Sequence, residues 1–176
     1  MPRYVALLRG VSPMNCKMAA LKACLQAAGF ADVRTVLSSG NAVFTTDEAP
    51  WPAVAGEAER AMLAAWGYTF PTIVRPAAYL RALVASDPFA AFSLPPAAKR
   101  VVTFLRDPAA AAVATGAITL PLERDGARVL TQVAGEVFTA YEPSPKGPVF
   151  MALLERAFGK DITTRTLATV EKCATA

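Results

Sequence analysis

The chain has 176 residues, of which 54% are hydrophobic and 18% are charged, a composition that excludes disorder and allows one compact body or two small lobes. Eighteen Lys and Arg against fourteen Asp and Glu leave a net charge of +4, without the dense basic clusters that drive nucleic-acid binding. Histidine is absent, which excludes Ser-His-Asp triads, Cys-His pairs and His-metal sites.

The first half of the chain alternates strand and helix patterns, and Gly10, Gly29 and Gly67 mark where elements end. Short apolar runs predict strands, whereas apolar residues at helical spacing predict helices. In chain order, the patterns predict a strand over 4–9, a helix over 18–28, a hairpin of strands over 33–38 and 42–45, a helix over 51–66, a strand over 70–75 and an added helix over 76–86.

This βαββαβ order is that of the ferredoxin-like fold. Right-handed crossovers then place the first and third strands in the middle of the sheet and the fourth strand at an edge. Pro71 agrees with an edge position, because proline has no backbone N–H to donate. We therefore expect a four-stranded layer backed by two helices, with its turn residues brought to a common rim.

Residues 88–98 contain three prolines together with Phe89 and Phe92, and we interpret them as a proline-rich connector. Beyond it, the patterns predict a strand over 100–106, a short alanine-rich helix over 107–116, a hairpin of strands over 118–124 and 128–133, a strand over 137–141, and helices over 149–158 and 167–173. The predicted class is α+β, with a ferredoxin-like lobe over 1–87 and a smaller lobe over 99–176. In the smaller lobe, helices pack on one side of an antiparallel β-meander.

The three cysteines form no Cys-x-x-Cys pair, so we expect neither zinc nor dithiol redox chemistry, and we expect no metal and no cofactor. Cys24 shares a helical stripe with Leu21 and Leu25 and is predicted to pack in the core. Cys16 lies just before a helix start. It is either a small, half-buried residue or a thiolate stabilised by backbone dipoles.

The first candidate ligand site is the turn after the first strand, with Arg9, Gly10, Ser12 and Lys17. Amide groups at a helix start attract anions, and two cations flank this turn. The turn lacks the glycine spacing of dinucleotide sites and the Gly-Lys-Ser/Thr ending of phosphate loops. A purely structural turn is therefore the alternative.

Two further candidates lie at other turns. Ser39 and Asn41 are either directed at a ligand or close a hairpin whose geometry demands Gly and Asn. Arg165, within Thr163-Thr164-Arg165-Thr166, either presents its planar fork to a phosphate or carboxylate or is a solvated arginine beside a helix cap.

Several stretches together carry a family resemblance. They are Tyr4-Val5-Ala6-Leu7-Leu8-Arg9-Gly10, Ser39-Gly40-Asn41-Ala42-Val43-Phe44, Asp87-Pro88-Phe89 and Thr163-Thr164-Arg165. With them the chain resembles, over nearly its whole length, the bacterial family of uncharacterised proteins known as domain of unknown function 1697. The resemblance implies a two-lobed α+β fold with a ferredoxin-like first lobe, and it implies no particular activity, substrate or cofactor. The chain departs from the family pattern in the loops at 11–15, 145–148 and 166–168.

Three functions remain open, in this order of preference. The first is a binding module for an anionic ligand, whether nucleotide, phosphorylated metabolite or nucleic acid, which the sequence pI of about 9.1 and a potentially open sheet face would favour. The second is an interaction or oligomerisation protein that presents Phe89 and Phe92 to a partner chain. The third is a histidine-independent enzyme that uses Ser38 or Ser39 with Arg9, for which no general base is visible.

Location and assembly follow from the same patterns. No apolar run is long enough to span a bilayer, and residues 1–9 lack the apolar stretch of a secretory signal. We therefore expect the chain to stay in the cytoplasm and to have no membrane partner. A homo-oligomer is compatible with the sequence.

Overall fold

The structure is a computed structural model of the whole chain, described over residues 1–107, 116–147 and 149–176. It divides into two compact units, Met1–Ala85 with Ala168–Ala176 and Ser86–Leu167. The C-terminal residues join the first unit because Arg81 donates a hydrogen bond to the carbonyl of Ala174 at 2.9 Å and Arg3 donates one to the carbonyl of Ala176 at 2.8 Å. This differs from the sequence-based division, which assigns all of 99–176 to one lobe.

The first unit is a ferredoxin-like βαββαβ layer with two added helices. Its elements are β1 (Arg3–Leu8), α1 (Met18–Ala27), β2 (Ala31–Thr35), β3 (Asn41–Thr45), α2 (Trp51–Trp66), β4 (Thr72–Pro76) and α3 (Ala77–Ala85), followed at the C-terminus by α5 (Leu167–Thr175). The strand order is β2-β3-β1-β4, and β1 pairs antiparallel with β3 and with β4. The predicted central position of β1 and β3 and the edge position of β4 are confirmed.

Both faces of this sheet are buried along β1. Tyr4, Ala6 and Leu8 pack into the core formed with α1 and α2, while Val5 and Leu7 on the opposite face are 0% and 1% exposed. Helix α3 contacts β1 and β4. The expectation of an open sheet face is therefore wrong, because the nearly continuous apolar run of β1 buries both sides of the strand.

Proline and glycine set the ends of α2 and β4. Helix α2 covers the predicted 51–66 and ends at Gly67, which adopts the left-handed conformation with φ +76°. Strand β4 begins at Thr72, after Pro71, and includes Pro76. Pro76 was expected in the first turn of α3, but it is the last residue of the edge strand, where its missing N–H costs no ladder bond.

The second unit is a five-stranded antiparallel sheet with strand order β6-β7-β8-β5-β9. Its elements are β5 (Lys99–Leu105), β6 (Leu122–Arg124), β7 (Ala127–Val133), β8 (Glu136–Tyr141), α4 (Val149–Phe158) and β9 (Ile162–Thr166). Helix α4 packs Leu154 and Ala157 against Val129 and Val137 on one face of the sheet. Most of the helix predicted over 107–116 lies outside the described residues.

The connector before β5 is packed against the second unit's sheet. Phe89 is only 1% exposed, and its ring meets that of Phe138 edge-on, with centroids 5.7 Å apart. The guanidinium of Arg100 lies 5.8 Å from the centroid of the Phe89 ring. The prediction that Phe89 is presented to a partner chain is therefore wrong, since an aromatic ring gains more by burial than by exposure.

Candidate functional site

Three connections of the first unit meet at the end of the sheet where β1 stops and β4 begins. We call this end, residues 9–17, 36–40 and 67–71, the rim. The amide of Leu8 donates to the carbonyl of Gly40 at 2.8 Å, and the amide of Arg9 donates to the carbonyl of Pro71 at 2.8 Å. Because β4 runs antiparallel to β1, helix α2 must end near the point where the β1–α1 turn begins.

The first candidate turn is held together by its own hydrogen bonds. The amide of Ser12 donates to Asn15 Oδ1 at 2.8 Å, and Asn15 Nδ2 donates to the carbonyl of Gly10 at 2.9 Å. The amide of Met14 donates to Ser12 Oγ at 3.3 Å, and the amides of Asn15 and Cys16 donate to the carbonyl of Ser12. Gly10 and Ser12 therefore shape the turn, and the amides of residues 12 and 14–16 are engaged within it.

The second candidate pair closes the loop between β2 and β3. Asn41 is fully buried, and its Nδ2 donates to the carbonyl of Val36 at 2.9 Å and to Ser39 Oγ at 3.0 Å. The amide of Val36 in turn donates to the carbonyl of Asn41 at 2.9 Å. Asn41 thus fixes the loop from inside, and Ser39 lies at its exposed surface.

Lys17 lies on the wall of a surface pocket of about 220 Å³ at the rim. The turn before α1 and the first turns of that helix form one wall, and the end of α2 with the residues after it forms the other. The lining residues are Met14, Asn15, Cys16, Lys17, Ala20, Trp66 and Tyr68. We call this cavity the Lys17 pocket.

The charge on the lining of the Lys17 pocket is positive. Its lining includes one lysine and no carboxylate. Lys17 Nζ donates to the carbonyl of Pro13 at 3.1 Å, and within the described residues the lysine makes no ion pair. Lys17 is also the N-cap residue of α1, and no side chain caps that helix start. The partial positive charge of the helix terminus therefore adds to that of the ammonium group.

The opposite wall of the pocket is aromatic. The rings of Trp66 and Tyr68 have centroids 5.8 Å apart with an interplanar angle of 34°. Tyr68 meets Phe70 edge-on at 5.9 Å and 84°, and Phe70 is buried. The sequence patterns did not identify Trp66 or Tyr68 as site residues. The signal that could have identified them is a pair of aromatic residues on either side of Gly67, the glycine that ends α2.

Cys16 and Cys24 favour the thiol form. Burial raises the pKa of Cys16, and the nearby Cys24 raises it further. Burial likewise raises the pKa of Cys24, whose predicted core position is confirmed. A thiolate stabilised by backbone dipoles would have a lowered pKa, so the structure supports the interpretation of Cys16 as a small packed residue.

Arg165 belongs to the second unit and lies on β9, where it pairs with Val102 of β5. The sequence pattern predicted a turn at this residue, and that prediction is wrong because the segment pairs antiparallel with β5. Arg165 is 8% exposed, and its Nη1 donates to Thr163 Oγ1 at 2.7 Å and to the carbonyl of Thr164 at 2.9 Å. Its guanidinium is thus engaged by its own strand.

The described part of the chain carries no candidate metal centre. Across residues 1–107, 116–147 and 149–176, no group of three Cys, Asp or Glu side chains is placed to hold a metal ion. The helices in the same ranges are too short or too polar to cross a membrane.

The chain belongs to the DUF1697 family of proteins of unknown function, whose family model matches residues 1–133. Its structure is similar to that of the conserved bacterial protein SP0830 from Streptococcus pneumoniae, with a TM-score of 0.76 and 20% sequence identity over 99% of this chain and 97% of that one. At this identity the likeness shows the fold alone. No curated protein matches the sequence.

Proposed function

We propose that this protein is a binding module for a small anionic ligand, which it holds in the Lys17 pocket. The observation that carries the proposal is the composition of the pocket wall, which has one lysine and no carboxylate. An anionic group placed there meets an ammonium group without a competing acidic side chain.

The strength of such a site follows from its few contacts. A hydrogen bond to a charged group contributes about 1.5–3 kcal/mol, and an exposed ion pair about 0–1 kcal/mol. One lysine at an uncapped helix start therefore supports a dissociation constant on the order of 1 mM or weaker for a bare anion. Tighter binding requires further contacts with the rest of the ligand.

A small ligand fits the rim better than a nucleic acid does. Single-stranded RNA is commonly read on an exposed sheet face with aromatic residues, whereas Val5, Leu7 and Val43 of this sheet are all buried. Nucleic-acid affinity also depends on several phosphate contacts, and the Lys17 pocket supplies one cation. The loop amides that could cradle further phosphates are engaged at residues 12 and 14–16.

The test is a calorimetric titration of the full chain with inorganic pyrophosphate at about 50 mM and 200 mM salt. We expect Lys17→Ala to weaken binding about fivefold or more and higher salt to weaken binding by the wild type. Lys22→Ala is the matched control, because Lys22 is exposed on the same helix and outside the pocket lining. Equal weakening by the two variants, or no binding of pyrophosphate at millimolar concentration, would overturn the proposal.

A further inference from the structure

Resting on the proposed function, we infer that the ligand of the Lys17 pocket is a nucleotide, with its base stacked on Tyr68 and its phosphate at Lys17. Both residues line the same pocket. Tyr68 is 51% exposed, although it carries one of the largest apolar side chains. Every base has a flat π-face, so an exposed aromatic ring serves as a stacking surface for any of them.

The aromatic wall is organised before a ligand arrives. Phe70 is buried and meets the Tyr68 ring edge-on, while Trp66 packs beside it. Gly67 adopts the left-handed conformation between Trp66 and Tyr68, so the chain turns sharply where the two rings project. A ring that is already fixed loses little rotamer freedom when a base stacks on it. The entropic cost of ordering the Tyr68 side chain on binding is therefore small.

The pocket's dimensions and chemistry narrow the ligand class further. Its volume of about 220 Å³ lies below the roughly 300–1,000 Å³ of pockets that enclose drug-sized molecules. It therefore takes one ring and one acidic group, with the remainder of the ligand in solvent. Met14, 93% exposed on the wall that carries Lys17, has a flexible thioether that can pack against the edge of the bound base. A ring and a phosphate joined by a short sugar are the parts of a mononucleotide.

The experiment compares adenosine monophosphate, ribose 5-phosphate and adenosine as ligands of the full-length protein. We expect adenosine monophosphate to bind at least about fivefold more tightly than ribose 5-phosphate, which is the lower end of the contribution from one base–aromatic stack. Tyr68→Leu should remove this difference, so that the variant binds adenosine monophosphate and ribose 5-phosphate with equal affinity. Tyr68→Phe keeps the ring and should retain the difference.

The outcomes separate this inference from the proposed function. If ribose 5-phosphate and adenosine monophosphate bind equally well and both depend on Lys17, the inference is overturned and the anionic site stands. If the preference for adenosine monophosphate survives Tyr68→Leu, the base does not stack on Tyr68 and the inference is again overturned. If neither phosphate binds, the proposed function fails and the inference fails with it.

Discussion

Gly40 lies directly against Val11, so that a β-carbon on residue 40 would sit 2.8 Å from Val11 Cβ and 3.1 Å from Leu8 Cβ. Gly40 also has φ +84°, a conformation that other residues adopt only with strain. The close contact joins the β2–β3 loop to the turn after β1, and it positions the residues that lead into the Lys17 pocket.

We expect Gly40→Ala to lower the free energy of unfolding by about 2–4 kcal/mol, because it combines backbone strain with overlap against Val11. Urea denaturation measures this change. Gly10→Ala is the matched control, since Gly10 has φ +82° and a β-carbon added there would meet no atom within 4 Å. It should cost about 1–2 kcal/mol, which is the cost of the left-handed backbone alone. Equal losses for the two variants would show that the contact with Val11 contributes nothing.

Asn41→Ala should destabilise the protein by about 1–3 kcal/mol, because it removes a buried amide that donates to the carbonyl of Val36 and to Ser39 Oγ. Ser39→Ala removes an exposed hydroxyl that accepts one of these two bonds, and it should cost less than Asn41→Ala, about 1 kcal/mol. Chemical denaturation of both variants provides the comparison. A larger loss for Ser39→Ala than for Asn41→Ala would contradict the role of Asn41 as the residue that closes the loop.

The raised pKa of Cys16 predicts a pH dependence of stability. Burial holds the folded-state pKa above the ordinary value of 9.0, so the unfolded chain releases the thiol proton first as the pH rises. The contribution of Cys16 to the free energy of unfolding is therefore complete below pH 9.0 and is lost as the pH rises through the folded-state pKa.

Denaturation of the wild type and of Cys16→Ala between about pH 7 and pH 10.5 tests this prediction. The wild type should lose more stability than the variant over the alkaline part of the range, since the other titrating groups are common to both. Alkylation of Cys16 by iodoacetamide near pH 7 should also be slower than alkylation of free cysteine. Rapid alkylation at neutral pH would indicate a thiolate and contradict the burial argument.

The strand order of the first unit and the whole of α2 could be predicted from the sequence, because local signals and topology agree there. Apolar residues at helical spacing run from Trp51 to Trp66, and Gly67 ends the helix. The apolar run of β1 also indicated a strand covered on both faces. The expectation of an open sheet face conflicted with that signal, and burial of Val5 and Leu7 resolves the conflict.

Strand β9 and the Lys17 pocket could not be predicted in the same way. Thr163 to Thr166 is polar and short, and only pairing with β5 makes it a strand. Trp66 and Tyr68 are separated from Lys17 by about fifty positions in the sequence, and their joint pocket depends on how far α2 extends before Gly67. Lys17 itself was predictable as a loop cation, whereas its aromatic neighbours required the packed structure.

The most direct test of an anion site at the Lys17 pocket is a two-dimensional NMR titration of the labelled protein with inorganic pyrophosphate. We expect the largest amide shifts to fall on Met14 to Ala20 and on Trp66 to Tyr68, and to saturate with one common dissociation constant. The same titration of Lys17→Ala should leave these amides nearly unmoved. Saturable shifts confined to residues of the second unit, or shifts around the pocket that persist unchanged in Lys17→Ala, would contradict an anion site there.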